Sequence, residues 1–125
     1  MLRRTIRTLV EEAATRTGIT AAARLRASGS VAILAYHNVV PDNDAGLGDA
    51  SLHIPLNRFI DHVERIARTH EIVDLHSALT SPPGRRPRAV FTFDDAYRGA
   101  VTLALPELRR RGIPATVFVS PALLG

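Results

Sequence analysis

The stretch RAVFTFDDAYRG, residues 88–99, carries the strongest structural and chemical signal in this chain of 125 residues. Its first six residues, Arg88 to Phe93, are mostly apolar or aromatic and predict a buried strand. Two adjacent carboxylates, Asp94 and Asp95, follow directly. Because successive side chains leave a strand in different directions, the two aspartates suit two separate roles better than one shared proton. The stretch therefore predicts a strand that ends in a chemical site.

Apolar residues elsewhere in the chain alternate between the spacing of strands and the spacing of helices. Residues 31–36 form a nearly continuous apolar run, which is typical of a strand buried on both faces. Strands that alternate with helices predict an α/β fold built on a parallel sheet. The predicted elements are a strand at Val31–Tyr36, a helix that begins at Pro55 or Asn57 and carries the stripe Phe59, Ile60, Val63, Ile66 and Ala67, a short strand at Ile72–Leu75, a helical turn at His76–Leu79, a strand at Arg88–Phe93, a helix at Tyr97–Arg111 with a break at Pro106 and an end at Gly112, and a strand at Ala115–Val119.

Two polar segments interrupt this pattern. The first runs from His37 through Gly48 and is long for a loop in a compact domain, which makes it either functional or mobile. The second, Ser81–Pro87, combines prolines with a glycine and excludes regular structure.

The ends of two predicted strands bring candidate site residues to one rim. Ligands of parallel α/β sheets bind at the carboxyl ends of the strands, where Asp94 and Asp95 follow one strand and Tyr36 and His37 end another. One aspartate can bind a cation while the other acts on a water as general base. The alternative is that an aspartate simply caps the following helix. The residues alone predict a metal-assisted or acid–base site.

Composition excludes several classes of chemistry. The chain has no cysteine, so disulfides, thiol catalysis and cysteine-rich zinc modules are excluded. All 16 basic residues are arginine, so no lysine is present for a Schiff base or a phosphate-binding loop. The net charge of +4 comes from residues 1–30. The sequence shows no basic face with a nucleic-acid recognition element, so a nucleic-acid partner is not expected.

Residues 1–30 are predicted to form a basic, helical N-terminal segment. Apolar residues at helical spacing predict an amphipathic helix that ends near Gly18, and arginines flank its apolar stripe. Such a helix either packs on the following domain or contacts a membrane surface. Arg7 and the pair Glu11 and Glu12 interrupt any secretory signal, and no apolar run approaches the length of a membrane span. The expected location is the cytoplasm or a membrane periphery.

Beyond these arguments, the central motif resembles that of a known family. The sequence TFDD at 92–95, followed by Tyr97 and by the block GIPATVFV at 112–119, resembles the first motif of the polysaccharide deacetylases, the NodB-homology enzymes of carbohydrate esterase family 4. The stretch AYHNV at 35–39 resembles a Tyr-His-x-Val element that precedes this domain in one branch of the family. The resemblance is close over residues 88–119 and looser over residues 31–125.

The resemblance implies an incomplete (β/α) barrel over residues 31–125, preceded by the N-terminal amphipathic helix. It implies a hydrolase of carbon–nitrogen bonds that removes acetyl groups from an acetylated polysaccharide or glycoconjugate. By position, Asp94 matches the general base and Asp95 matches a ligand of a divalent metal, zinc or another ion. Tyr36 and His37 are expected at the rim of that site.

The chain also departs from the family pattern. Ala96 stands where glycine is common, which predicts strain if its φ is positive. The second motif, which supplies two histidine ligands, is expected beyond residue 125. The remaining histidines lack ligand-like spacing and are expected at the surface or at helix ends; they are His53, His62, His70 and His76. We expect weak metal binding and little hydrolysis from this chain alone, and the alternative is an inactive remnant that serves as a binding module.

Overall fold

A computed structural model describes residues 29–123 and shows short parallel strands alternating with helices. The strands are β1 Val31–Tyr36, β2 Asn38–Val40, β3 His53–Pro55, β4 Glu71–Ile72, β5 Arg88–Phe93 and β6 Ala115–Val117. The helices are α1 Leu56–Thr69, α2 Leu75–Thr80, a π-helical segment Ala100–Ala104 that continues into α3 Leu105–Arg110, and short 3₁₀ turns at Ala50–Leu52 and Pro121–Leu123.

Strand β5 lies at the centre of a four-stranded parallel sheet. It pairs along its whole length with β1, from Val31 opposite Arg88 to Tyr36 opposite Phe93. Its other edge is shared by β4, which pairs with the first residues of β5, and by β6, which pairs with the last three. The predicted bounds of β1 and β5 are confirmed. The carboxyl ends of β1, β5 and β6 therefore lie at one edge of the sheet.

The core lies on one face of β5, beneath the helices. Phe91 and Phe93 are fully buried there, and α1 covers them with the buried side chains of Phe59 and Val63. The helical segment after β5 contributes Ala100, Ala104 and Leu108 to this cluster, and β2 contributes Val39. The predicted helix is confirmed, and Phe59 and Val63 of its apolar stripe pack against the aromatic face of the sheet.

The prediction that β1 is buried on both faces is wrong. Exposed and half-buried residues alternate along the strand, and the side chains of Val31 and Ile33 are 39% and 58% exposed. The described residues cover this face of β1 only in part, whereas every residue of β5 is buried. An apolar run thus identified the strand but not the number of faces that the fold covers.

The two other predicted strands are shorter than their apolar runs. β6 ends at Val117, and the N–H of Phe118 still donates to the carbonyl oxygen of Phe93, but the side chains of Phe118 and Val119 are nearly half exposed. β4 ends at Ile72 because the chain then enters α2, whose N-cap is Asp74. The helical turn predicted at 76–79 is confirmed within α2.

The predicted polar loop after His37 contains structure that the sequence pattern missed. Strands β2 and β3 pair in parallel as a separate two-stranded sheet, with Asn38 opposite His53 and Val40 opposite Pro55. The irregular segment 81–87 is confirmed, and the guanidinium of Arg88 donates to the carbonyl oxygens of Ser81 and Pro82.

The helix after β5 begins at Arg98 and contains a π-helical segment before Pro106 occupies the first turn of α3. Gly112 follows with φ +65°, as its predicted role at the helix end requires.

The described strands do not close into a barrel; between residues 29 and 123 they form an open four-stranded sheet and a two-stranded one. The helical prediction for residues 1–30 and its proposed membrane contact fall on residues 1–28, which lie outside the described residues. In the part of the chain that the structure describes, no helix has both the length and the apolar character needed to cross a membrane.

Candidate functional site

His37 and Asp94 meet at the carboxyl edge of the sheet. The N–H of Asp94 donates to the carbonyl oxygen of Tyr36 at 2.8 Å, which extends the pairing of β1 and β5 by one residue. This register places His37 Nε2 3.9 Å from Asp94 Oδ2, and both side chains remain more than a third exposed. The prediction from topology that these two residues share a rim is confirmed.

The turn after Asp94 is strained. Asp95 and Ala96 have positive φ values of 64° and 47°, and neither is glycine. The left-handed conformation costs an L-residue roughly 1–2 kcal/mol. The sequence predicted strain at Ala96 if its φ were positive, and the φ of 47° shows that this is the case. Such strain persists only where the surrounding structure holds it, and it occurs most often at functional sites.

The structure does not support the alternative that an aspartate caps the helix. The helix begins at Arg98, and among the described residues no hydrogen bond joins the carboxylate of Asp94 or Asp95 to an N–H of its first turn; the N–H of Gly99 donates to Oδ1 of Asn38. Asp95 is instead exposed, and Asp94 is half-buried next to His37.

Tyr36 was predicted at the rim, but its side chain lies in the aromatic core. Its ring stacks on Phe91 and contacts Phe59 and Phe93, and its hydroxyl lies 3.1 Å from Nδ1 of His62. Burial raises the pKa of the Tyr36 hydroxyl. The cause is alternation along the strand, which sends Tyr36 toward α1 and the next residue, His37, toward Asp94.

The tyrosine that lies beside His37 is Tyr97 and not Tyr36. The two rings lie 6.4 Å apart between centroids and are steeply inclined to each other. A cleft of about 520 Å³ extends from Tyr97 along the loop that follows β2, with Asp44 and Arg98 among its lining residues. A second cavity, of about 430 Å³, lies between β1 and α1, and neither Asp94 nor Asp95 lines either of the two.

Asn38 and His53 are the polar residues that the sequence interpretation missed. Asn38 donates from Nδ2 to Nδ1 of His53 at 3.1 Å and accepts from the N–H of Gly99 at 3.1 Å. His53 donates from Nε2 to the carbonyl oxygen of Leu47 at 2.7 Å. The only signal in the sequence was the long polar loop that separates the two residues.

The described residues do not by themselves fit a zinc site. Between residues 29 and 123, no three His, Cys, Asp or Glu side chains lie close enough together to hold a metal ion. Catalytic zinc uses three protein ligands. His62 and His53 are engaged with Tyr36 and Asn38, and His70 lies at the end of α1, as its position in the sequence predicted.

Comparison with known proteins identifies the fold. No protein-family model and no curated protein matches the chain. Among solved structures, the de-N-acetylase from Aggregatibacter actinomycetemcomitans matches 70% of this chain with a TM-score of 0.56 and 23% identity. IcaB from Ammonifex degensii matches 72% of it with a TM-score of 0.57 and 21% identity. The matched region spans 36% and 38% of those two proteins, respectively, so this chain shares the fold of little more than a third of each.

Proposed function

We propose that this chain is the N-terminal portion of a carbohydrate deacetylase, a metal-dependent hydrolase that removes acetyl groups from a polysaccharide or glycoconjugate. The observation that supports the proposal best is the approach of His37 to Asp94 at the carboxyl edge of a parallel sheet. The fold around that edge resembles part of a protein described as a de-N-acetylase. The motif TFDD and the Tyr-His element lie at the same edge, on β5 and β1.

Asp94 is proposed as the general base. Its carboxylate accepts a proton from a water whose oxygen attacks the carbonyl carbon of the acetamide. The bond between that carbon and the sugar nitrogen then breaks as the nitrogen takes up the proton held by Asp94, and the products are a free amine and acetic acid, which ionises to acetate. The half-exposed position of Asp94 leaves room for both water and substrate.

Asp95 is proposed as one ligand of a divalent metal such as zinc. It is exposed, and the left-handed conformation directs its side chain differently from that of Asp94. One carboxylate is not a zinc site, so a complete site needs ligands beyond those that residues 29–123 bring together.

The test is acetate release from an N-acetylglucosamine oligomer by the protein expressed from its whole reading frame. Replacing Asp94 with Asn should lower the rate by about a hundredfold or more, the range of general-base catalysis. The matched control is Asp61→Asn, an exposed aspartate on α1, which should leave the rate unchanged. Equal rates for the wild type and Asp94→Asn would overturn the assignment of Asp94. Binding of the oligomer without acetate release would favour the binding module instead.

A further inference from the structure

The strained turn is held at both of its ends by the residues that flank His37. At one end the N–H of Asp94 donates to the carbonyl oxygen of Tyr36. At the other end the N–H of Gly99 donates to Oδ1 of Asn38. Both positive-φ residues lie between these two bonds. The segment 94–99 is thus fastened to the segment 36–38, and His37 lies at the centre of the second segment.

The contact at Gly99 is unusually close. A Cβ at this position would lie 1.7 Å from the carbonyl oxygen of Val39 and 2.5 Å from Oδ1 of Asn38. Only glycine allows the start of the helix to approach β2 so closely. The position of the turn is therefore set by β2, and a displacement of Asn38 is transmitted to the carboxylates through a few backbone bonds.

His53 determines which way the amide of Asn38 points. Because Nε2 of His53 donates to the carbonyl oxygen of Leu47, its Nδ1 is an acceptor, and it takes a hydrogen bond from Nδ2 of Asn38. The Oδ1 of Asn38 is then the atom left to face Gly99. The three bonds run in one direction, from the Gly99 N–H through Asn38 and His53 to Leu47, an arrangement in which each bond polarises the next.

The long loop after β2 supplies the far end of this chain of hydrogen bonds. Leu47 gives its carbonyl oxygen, and Gly46 lies so close to the imidazole that a Cβ there would come within 2.5 Å of Cδ2 of His53. The loop therefore encloses the ring and keeps it in one orientation.

We infer that Asn38 and His53 are positioning residues of the candidate site, which hold the turn that carries Asp94 and Asp95 in its strained conformation. The inference rests on the proposed function for its catalytic meaning, but the hydrogen-bond chain itself is testable without it. In this view the loop after β2 acts on the carboxylates through His53, Asn38 and Gly99.

The first test is amide hydrogen exchange at Gly99, together with the tautomer of His53 read from the nitrogen shifts of its ring. His53→Ala should speed exchange at Gly99 by about fivefold, which corresponds to the loss of one ordinary hydrogen bond. His53→Gln should restore slow exchange, because its amide offers one acceptor and one donor in place of the two ring nitrogens. The matched control, Asp42→Asn, changes the acceptor of the Asn57 N–H in the same loop and should leave exchange at Gly99 unchanged.

A second variant, Asn38→Asp, tests the direction of the chain. A carboxylate still accepts from the N–H of Gly99, so exchange at Gly99 should stay slow. It cannot donate to Nδ1 of His53, so the His53 ring should lose its wild-type form, in which Nε2 alone is protonated. Unchanged exchange in His53→Ala, or a wild-type ring protonated at Nδ1 rather than Nε2, would overturn the inference.

Acetate release then separates this inference from the proposed function. His53→Ala should lower kcat with little change in KM, and His53→Gln should recover most of it. If kcat stays at the wild-type value in His53→Ala although Gly99 exchanges faster, the catalytic role of these residues is refuted. If the wild type releases no acetate, the proposed function fails, and exchange at Gly99 still decides whether the two residues hold the turn.

Discussion

Ala96 has the backbone conformation that glycine adopts most easily, immediately after the two carboxylates. Its φ of 47° follows a φ of 64° at Asp95, so two successive residues are held in the left-handed region. The strained pair sends the chain from β5 into the helix within a few residues and separates the two aspartate side chains. At Asp95 the strain accompanies a candidate ligand, whereas at Ala96 the side chain is a single methyl group with no such role.

We predict that Ala96→Gly stabilises the protein by about 1 kcal/mol, since removing Cβ relieves left-handed strain that exceeds the entropic cost of glycine. For a domain of this size the midpoint of thermal unfolding should rise by roughly 4–8 °C. Circular dichroism during heating measures the change.

The matched control is Ala67→Gly in α1, where the backbone is helical and the side chain exposed. That variant should lose about 1 kcal/mol, because glycine in a helix interior is less favourable than alanine. An equal loss at both positions would show that Ala96 is not strained.

At the site, the sequence predicted the residues that follow directly from strand topology and missed those that depend on side-chain direction or on a loop. His37 and Asp94 come together because both follow parallel strands in register. Tyr36 does not, because alternation sends it to the opposite face. The contact of Asn38 with His53 joins residues 15 positions apart across a loop whose path no periodicity records.

At the scale of elements, the sequence predicted the segments whose apolar pattern is long. The stripe of α1 and the apolar run of β5 are each long enough to identify an element, and the run of β5 also identified its bounds. β2 and β3 have three residues each, too few for a period to appear, and their pairing depends on the conformation of the intervening loop. The π-helical segment has no signal of its own in sequence periodicity, because it differs from an α-helix only in hydrogen-bond spacing.

The capping of α2 gives an element-scale prediction about pH. Asp74 accepts hydrogen bonds from the hydroxyl and the N–H of Ser77, and these bonds lower the pKa of its carboxyl from 3.8. Because the folded-state pKa is the lower one, the charged cap contributes its full stabilisation above pH 3.8 and loses it as pH falls through the folded-state value. The stability of α2 should therefore decrease in acid.

Asp74→Asn isolates this effect, since an asparagine cap still accepts a hydrogen bond but does not titrate. The wild type should be the more stable of the two near neutral pH, and its advantage should shrink below pH 3.8. Urea unfolding of both proteins, near neutral pH and below pH 3.8, measures the difference between their free energies of unfolding. The other carboxylates, including Glu107, are present in both proteins, so their contributions cancel in this difference. A constant difference across pH would contradict the assignment.

At the scale of the whole molecule, the parallel sheet is open on one side. β1 pairs with β5 alone among the described strands, and its exposed face carries Val31 and Ile33. Phe118 and Val119 add exposed apolar surface after β6. An unpaired strand edge beside apolar side chains favours pairing with another copy of the chain. So few parallel strands cannot close a barrel, so this edge stays unpaired among the described residues.

We predict that the chain associates with increasing concentration and that Ile33→Thr weakens this association by about tenfold, because threonine keeps the preference for strands but removes apolar surface. Sedimentation velocity over a range of concentrations measures the change. The control is Leu79→Thr on α2, where a leucine that is 75% exposed lies outside the sheet and should have little effect. Equal weakening by both variants would point to general hydrophobic association. A monomer at all concentrations that unfolds cooperatively would show that the open face of β1 is tolerated in solution, and the exposed strand would then be no liability for this fold.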